Sequence, residues 1–347
     1  MISPGEWPRR VRARLGERRF TVAVLVSLLL VAFVPLVALP AVRCELFGSG
    51  CREPDPVPRA DPVAAPRPPT PIEAATWGGY VALGDSYSSG VGAEATLSDH
   101  NPLEKCHRTS KAYYHEVAKT FTFAKGGAFW ACSGATTNDI LDGRGGEPAQ
   151  LGRLSAGTSL VTISIGGNDI GFSKILAACV VKLPWSGGCT DQGGDVAARM
   201  AELRHDLPAL IAKINARAPR ARVLVLGYPK AFSEVAGVGG DNLTVSEQRW
   251  LNARAYDLGE LIRQTAVEAD RRIAARGGHG SVEFVDAYSS FAGHEAGSGD
   301  PFMNGLAVDL PAMRAEPRSY HPTIKGQQAL AALVIAQVRK GPGRPLR

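Results

Sequence analysis

Hydrophobic positions fall along the chain in three regimes. From Phe20 to Leu39 (FTVAVLVSLLLVAFVPLVAL) twenty residues pass without a charge, about 30 Å as a helix and so the thickness of a bilayer core. Residues 52–74 carry eight prolines and alternating charges. Such a stretch buries no core and predicts an extended, semi-rigid spacer. From about Trp77 onward, short apolar runs alternate with longer amphipathic ones. Tyr80–Leu83 ends in Gly-Asp, Ser159–Ile165 in Gly-Gly-Asn-Asp, Arg222–Leu226 in Gly-Tyr-Pro, and Val282–Val285 in Asp-Ala-Tyr. Near-continuous runs of this length suit strands buried on both faces of a parallel sheet. Residues 121–130 offer a further strand, weakened by Gly126-Gly127.

The intervening segments predict helices. Residues 195–216 carry Leu203, Leu207, Leu210, Ile211 and Ile214 at helical spacing. Thr244-Val-Ser-Glu247 reads as a capping box opening a long helix with Leu251, Leu258, Leu261 and Ile262 on one face. Residues 322–339 begin with Pro322 in the first turn and run apolar through Leu330, Leu333 and Ile335. Strand–helix alternation of this kind predicts one α/β domain with helices on both sides of the sheet.

Charge sharpens the reading of the first regime. The 347 residues carry a net +6. Arg9, Arg10, Arg12, Arg14, Arg18 and Arg19 against Glu6 and Glu17 leave +4 of it before residue 20. The remainder is close to neutral and shows no basic stripe with interleaved aromatics, so nucleic acid is not an expected partner. A basic flank beside an uncharged segment holds that end in the cytoplasm. The expected organisation is a basic cytoplasmic segment (1–19), a transmembrane signal-anchor (20–42), a Pro-rich extracytoplasmic linker (43–76), a folded domain (77–340) and a tail (341–347). A cleaved signal peptide is the alternative. Its apolar core is ordinarily shorter, and Leu39-Pro40-Ala41 is a poor cleavage point. Either way the body is exported.

That compartment favours disulfides for Cys44, Cys51, Cys106, Cys132, Cys179 and Cys189. None forms a C-x-x-C pair and no histidine stands at zinc-finger spacing, so no metal is expected. Sequence proximity favours Cys44–Cys51 and Cys179–Cys189 among the fifteen pairings, leaving Cys106–Cys132.

The strand ends carry the candidate chemistry. In open parallel sheets ligands bind beyond the carboxyl ends of the strands, so Ser86 of Gly84-Asp85-Ser86 and Asn168 of Gly166-Gly167-Asn168-Asp169 point into one crevice. A serine hydroxyl there is a weak nucleophile without a base. His321, in Arg-Ser-Tyr-His-Pro-Thr before the last helix, is the candidate base. The other histidines fall in polar loops or on helical faces. Acyl transfer also needs donors for an oxyanion: Asn168 offers an amide, and Gly134 in Ala-Cys-Ser-Gly-Ala-Thr-Thr offers an approachable backbone N–H.

Taken in chain order, Ser86 in GDSYSSG, Gly134 in ACSGATT, Asn168 in IGGND and His321 in YHP resemble the SGNH (GDSL-type) hydrolase family, in its secreted actinobacterial lipase and esterase branch, over roughly residues 77–340. The resemblance implies a three-layer α/β/α sandwich with a flavodoxin-like five-stranded parallel sheet. It implies Ser86 as nucleophile, His321 as general base, and an oxyanion hole from the N–H groups of Ser86 and Gly134 with the Asn168 amide. No cofactor is needed. Gly84-Asp-Ser-Tyr-Ser88 is not G-x-S-x-G, which disfavours an α/β-hydrolase; Asp85 reads as structural, bonding the turn.

Two departures from the family pattern matter. Where many members have an Asp three residues before the histidine, Arg318 stands here, so its main-chain carbonyl is expected to hold the His321 Nδ1–H. A cysteine expected near Gly293 is also absent. The expected function is a membrane-tethered, outward-facing serine ester hydrolase acting on a lipid or an acylated surface molecule. An acyltransferase to a surface glycan or lipid and a catalytically dead tethered binding protein are the alternatives.

Overall fold

The computed structural model describes residues 16–38, 44–45, 48, 67–93, 105–180, 182, 188–238, 242–309 and 314–346. The chain divides into a unit spanning Met1–Pro66 and a unit spanning Arg67–Arg347.

In the first unit, Glu17–Ala38 forms a helix, α1. Phe20 is half-buried, and its other described side chains, Val22, Leu28 and Phe33 among them, are exposed. Among the described residues no helix is long and apolar enough to cross a membrane. The transmembrane span expected over 20–42 is thus not found; of this stretch's side chains, only those up to Val34 are described. The expected Cys44–Cys51 bridge falls on Cys51, outside the described residues.

The second unit is built on a five-stranded sheet. Its strands are β1 (Gly79–Gly84), β2 (Gly127–Phe129), β3 (Thr158–Ser164), β4 (Arg222–Leu226) and β5 (Ser281–Val285). They lie in the order β2-β1-β3-β4-β5, all parallel. β3 and β4 are buried at every position, which explains the apolar or small residues that fill β3 and that follow Arg222 in β4. β2 forms despite Gly126-Gly127, contributing three residues at the sheet edge.

Helices flank the sheet: α2 (Pro71–Thr76), α3 (Ser86–Ser89), α4 (Tyr113–Thr120), α5 (Thr137–Asp142), α6 (Phe172–Val180), α7 (Gly193–Arg217), α8 (Val245–Ala275), α9 (Ala287–Ser290) and α10 (Ile324–Lys340). α10 packs with α2 and α4, and α7 with α8. The Thr244 capping box opens α8 as its sequence pattern requires, with Glu247 reaching back to the Thr244 N–H. At α10 the cap is Thr323 and the helix begins at Ile324, two residues later than the start at Pro322 that the sequence suggested. α2 lies in the stretch read as spacer: Thr70 caps it, and Ala74 and Ala75 are buried. The segment after α10 is also held, with Arg344 paired to Asp270 at 2.8 Å.

Arg222 opens β4 fully buried. It pairs with Glu283 at 2.7 Å and donates to the carbonyls of Pro71, Gln337 and Val338. A charge removed from water on this scale requires such full satisfaction. The pair ties α2 and the end of α10 to the amino-terminal edge of the sheet, opposite the site.

Candidate active site

β1 ends at Gly84, whose φ of +121° and closeness to β3 both demand glycine, since a Cβ there would fall 2.4 Å from the Ser164 carbonyl. The chain then turns into α3. Asp85 caps that helix, its Oδ1 accepting from Tyr87 N–H at 3.0 Å. This places Ser86 in the first turn, 8% exposed, with Oγ 2.8 Å from His321 Nε2. The crevice opens where β2 and β3 diverge to opposite sides of β1, the topological switch point of this strand order.

His321 reaches the serine from the turn before α10. Its Nδ1 lies 3.0 Å from the Ser319 carbonyl. A carbonyl only accepts, so Nδ1 carries the proton and Nε2 is left to accept from the Ser86 hydroxyl. The orienting group therefore differs from the expected Arg318 carbonyl. That carbonyl accepts from the His321 backbone N–H at 3.1 Å, closing the turn, while the Arg318 side chain pairs with Glu316. With that carbonyl engaged, the next one in the turn faces the ring. Tyr320 takes a left-handed φ of 55° to make the turn, and its carbonyl accepts from Tyr87 OH at 2.8 Å. Asp300, a carboxylate from the preceding loop, pairs with Lys325 instead. Burial pushes the His321 imidazole down to about 4 against the backbone bonds that raise it, so it stands neutral and able to accept a proton at pH 7.

Gly134 and Asn168 meet at the same crevice. The Gly134 loop is pinned by the Cys106–Cys132 disulfide and by bonds from Ser133 N–H to Cys106 O and Cys132 N–H to Gly84 O, both 2.9 Å. Among the described residues neither the Gly134 N–H nor the Ser86 N–H donates to a protein acceptor. Asn168 spends one amide hydrogen on the Ala135 carbonyl at 2.9 Å, which aims the amide and leaves its second hydrogen free.

Beneath these groups runs a buried polar network that the sequence did not reveal. Asp85 Oδ1 also accepts from Ser164 Oγ at 2.7 Å, and its Oδ2 accepts a short bond from Tyr228 OH. Tyr228 OH in turn accepts from Gly167 N–H at 2.8 Å. One tyrosine thus joins the ends of β1, β3 and β4. Burial raises the Asp85 carboxyl to about 6 and the Tyr228 phenol well above its usual range. Gln150 brackets Gly84, accepting from its N–H at 2.8 Å and donating to its carbonyl at 3.0 Å. The strand-ending Gly-Tyr-Pro motif was the one signal that could have pointed to Tyr228.

Ser86 and His321 line a cavity of about 550 Å³. Its lining is otherwise largely apolar, with Phe172, Leu176 and Val180 from α6, Leu258 from α8, and Leu306. The Cys179–Cys189 disulfide holds the end of α6. Among the described residues no cluster of His, Cys, Asp and Glu could hold a metal ion.

Residues 82–329 match the GDSL-like lipase/acylhydrolase family. The chain is 37% identical over 252 residues to a lipase of Streptomyces rimosus, covering 72% of this chain and 82% of that one. It is 36% identical over 258 residues to lipase 1 of Streptomyces coelicolor, with the same coverages. Among solved structures, a phospholipase A1 from Streptomyces albidoflavus superposes with a TM-score of 0.63 at 33% identity, over 75% of this chain and 99% of that one. The extracellular lipase of Streptomyces rimosus does so with a TM-score of 0.60 at 34% identity, again over 75% and 99%.

Proposed function

Because the chain belongs to the GDSL-like lipase/acylhydrolase family, a family of carboxylic ester hydrolases, we propose that it cleaves lipid esters through a covalent acyl-enzyme on Ser86. The observation that carries this reading is the 2.8 Å contact between Ser86 Oγ and a neutral His321 whose far nitrogen is held by a carbonyl. His321 Nε2 takes the hydroxyl proton as Oγ attacks the ester carbonyl. The oxyanion that forms is received by the N–H groups of Ser86 and Gly134 and the free hydrogen of the Asn168 amide. The intermediate collapses with proton return from His321 to the leaving alcohol. Water, deprotonated by the same nitrogen, then releases the acid. A serine–histidine dyad suffices because the Ser319 carbonyl does the orienting that a carboxylate does in a triad.

The apolar wall along α6 supports an acyl chain of several carbons as the group entering the cavity, in keeping with the lipid esters implied by the lipase and phospholipase relatives. The arginine-rich start followed by an uncharged segment supports export, with the sequence of residues 20–42 as leader or membrane tether. Fractionation of cells producing the full chain separates these two outcomes.

The test is mass spectrometry of the purified exported protein after a fluorophosphonate probe. Stoichiometric labelling on Ser86, lost in His321→Ala, is expected. A folded, disulfide-intact protein that fails to label would return the inert binding protein as the better reading.

A further inference from the structure

Arg144 stands outside the cavity wall, in the turn after α5, and the mechanism above does not use it. Its Nε donates to the Ser133 carbonyl at 3.1 Å, and its Nη1 pairs with Asp139 Oδ2 at 3.2 Å. Asp139 is itself fixed, because the same oxygen accepts from the N–H and the hydroxyl of Thr136, both at 2.9 Å, in the capping box that opens α5. The guanidinium is therefore held from the helix and presents Nε to one particular carbonyl.

That carbonyl belongs to the same peptide unit as the Gly134 N–H. The peptide is trans, and in a planar trans unit the C=O and N–H point in opposite directions. A carbonyl drawn toward Arg144 sends the Gly134 N–H the other way, into the cavity that Gly134 lines with Ser86 and Asn168. The guanidinium also lies against Gly134 itself. A Cβ built at 134 would fall 2.6 Å from Nη2 and 3.0 Å from Cζ, at a φ of +80°. A glycine in that region turns easily, so the peptide preceding it has little intrinsic reason to keep one orientation. A charge-assisted bond to its carbonyl supplies the reason and, by polarising the unit, strengthens the dipole of the N–H.

We infer that Arg144 is a positioning residue for the oxyanion hole, aiming the Gly134 N–H through the Ser133 carbonyl. The inference rests on reading Ser86, Gly134 and Asn168 as an acyl-transfer site. An oxyanion donor is worth about 10²–10³ in rate, and a peptide free to turn keeps its N–H aimed only part of the time. Arg144→Met is therefore expected to lower kcat about 10- to 100-fold with KM within about twofold. Arg144→Lys keeps the charge but not the fork that spans Ser133 and Asp139 at once, and should fall between the two.

The experiment measures kcat and KM on a soluble p-nitrophenyl ester for wild type, Arg144→Met, Arg144→Lys and Ser86→Ala. Inhibition by an alkyl boronic acid, whose serine adduct carries an oxyanion, is measured beside inhibition by the product fatty acid, with a melting temperature for each protein. Support is a boronate Ki that rises in step with the fall in kcat, an unchanged Ki for the fatty acid, and a melting temperature within a few degrees of wild type. The inference is overturned if Arg144→Met keeps kcat within twofold, if KM alone rises, or if the lost activity tracks lost folded protein. Full activity in Ser86→Ala would instead sink the reading of the site. An inactive Ser86→Ala beside an unimpaired Arg144→Met sinks the inference alone.

Discussion

Replacing Tyr228 with Phe removes one oxygen and leaves the ring, whose edge contact with Tyr87 at 5.0 Å between centroids survives. That oxygen accepts from Gly167 N–H and donates to Asp85, and all three groups are buried. An orphaned buried donor costs about 1–3 kcal/mol, and a lost bond to a charged acceptor about 1.5–3. Both groups border the cavity, so water recovers part of this, and the expected destabilisation of Tyr228→Phe is about 2–4 kcal/mol at pH 8. The pH dependence has a definite sign. Burial raises Asp85 to about 6, above its unfolded value of about 3.9. Its contribution to stability is therefore fully present below pH 4 and is lost as pH rises through 6. The Tyr228 hydroxyl is among the groups holding that carboxyl down, so its removal raises it further and penalises the ionised form more. The difference between wild type and variant should be larger at pH 8 than at pH 5 by about 1 kcal/mol or more, one pKa unit being about 1.4. Urea unfolding of both proteins at the two pH values, with equal slopes, measures it. A loss under about 1 kcal/mol at pH 8, or the same loss at both, would refute the claim that this hydroxyl supports a buried carboxylate.

Other predictions concern the chemistry and the cavity. Asn168→Ala should lower kcat about 10²–10³-fold while KM barely moves, as loss of a donor used only in the transition state requires. Since burial lowers His321 to about 4, kcat/KM should hold through pH 6 and fall as pH drops toward 4; an acid limb at 6.5 or above would contradict the desolvated imidazole. Leu176→Trp narrows the apolar wall and should cut kcat/KM for a C12 ester roughly tenfold or more relative to a C4 ester, corresponding to about 1.4 kcal/mol of lost chain burial. Equal losses for both would mean the chain binds elsewhere. Removing the Cys179–Cys189 bridge, whose cysteines are ten residues apart, should cost about 2–3 kcal/mol in thermal or urea unfolding.

The strands were legible because a strand covered on both faces is apolar or small at most successive positions, as β3 is and as β4 is after Arg222. β2 was faint because three residues at an edge, one exposed and two half-covered, leave hardly any pattern. Arg222 runs against composition: nothing in sequence says that an arginine will be fully buried, since its acid partner and three carbonyls arrive from β5, α2 and α10. Ser86, Gly134, Asn168 and His321 could be read because glycines, or a proline, mark the turns that present them. The groups behind them could not. Tyr228 and Asp85 are 143 residues apart, and Gln150 is 66 from Gly84; only the strand order brings them together. A main-chain carbonyl has no letter of its own, so a sequence cannot distinguish Ser319 from Arg318 as the holder of the histidine.

Ser86 and His321 are separated by 235 residues, the serine just after the first strand of the sheet and the histidine just before the last helix. An emerging chain therefore presents the proposed nucleophile long before the proposed base. A product cut short between residues 168 and 321 carries the Ser86 hydroxyl and the proposed oxyanion donors but lacks the histidine proposed to take the proton. It also lacks Leu330 and Val334, the buried face of α10. On the proposed mechanism, ester cleavage therefore waits for the same segment that closes the core, and a chain interrupted in that interval should be inert toward lipid esters.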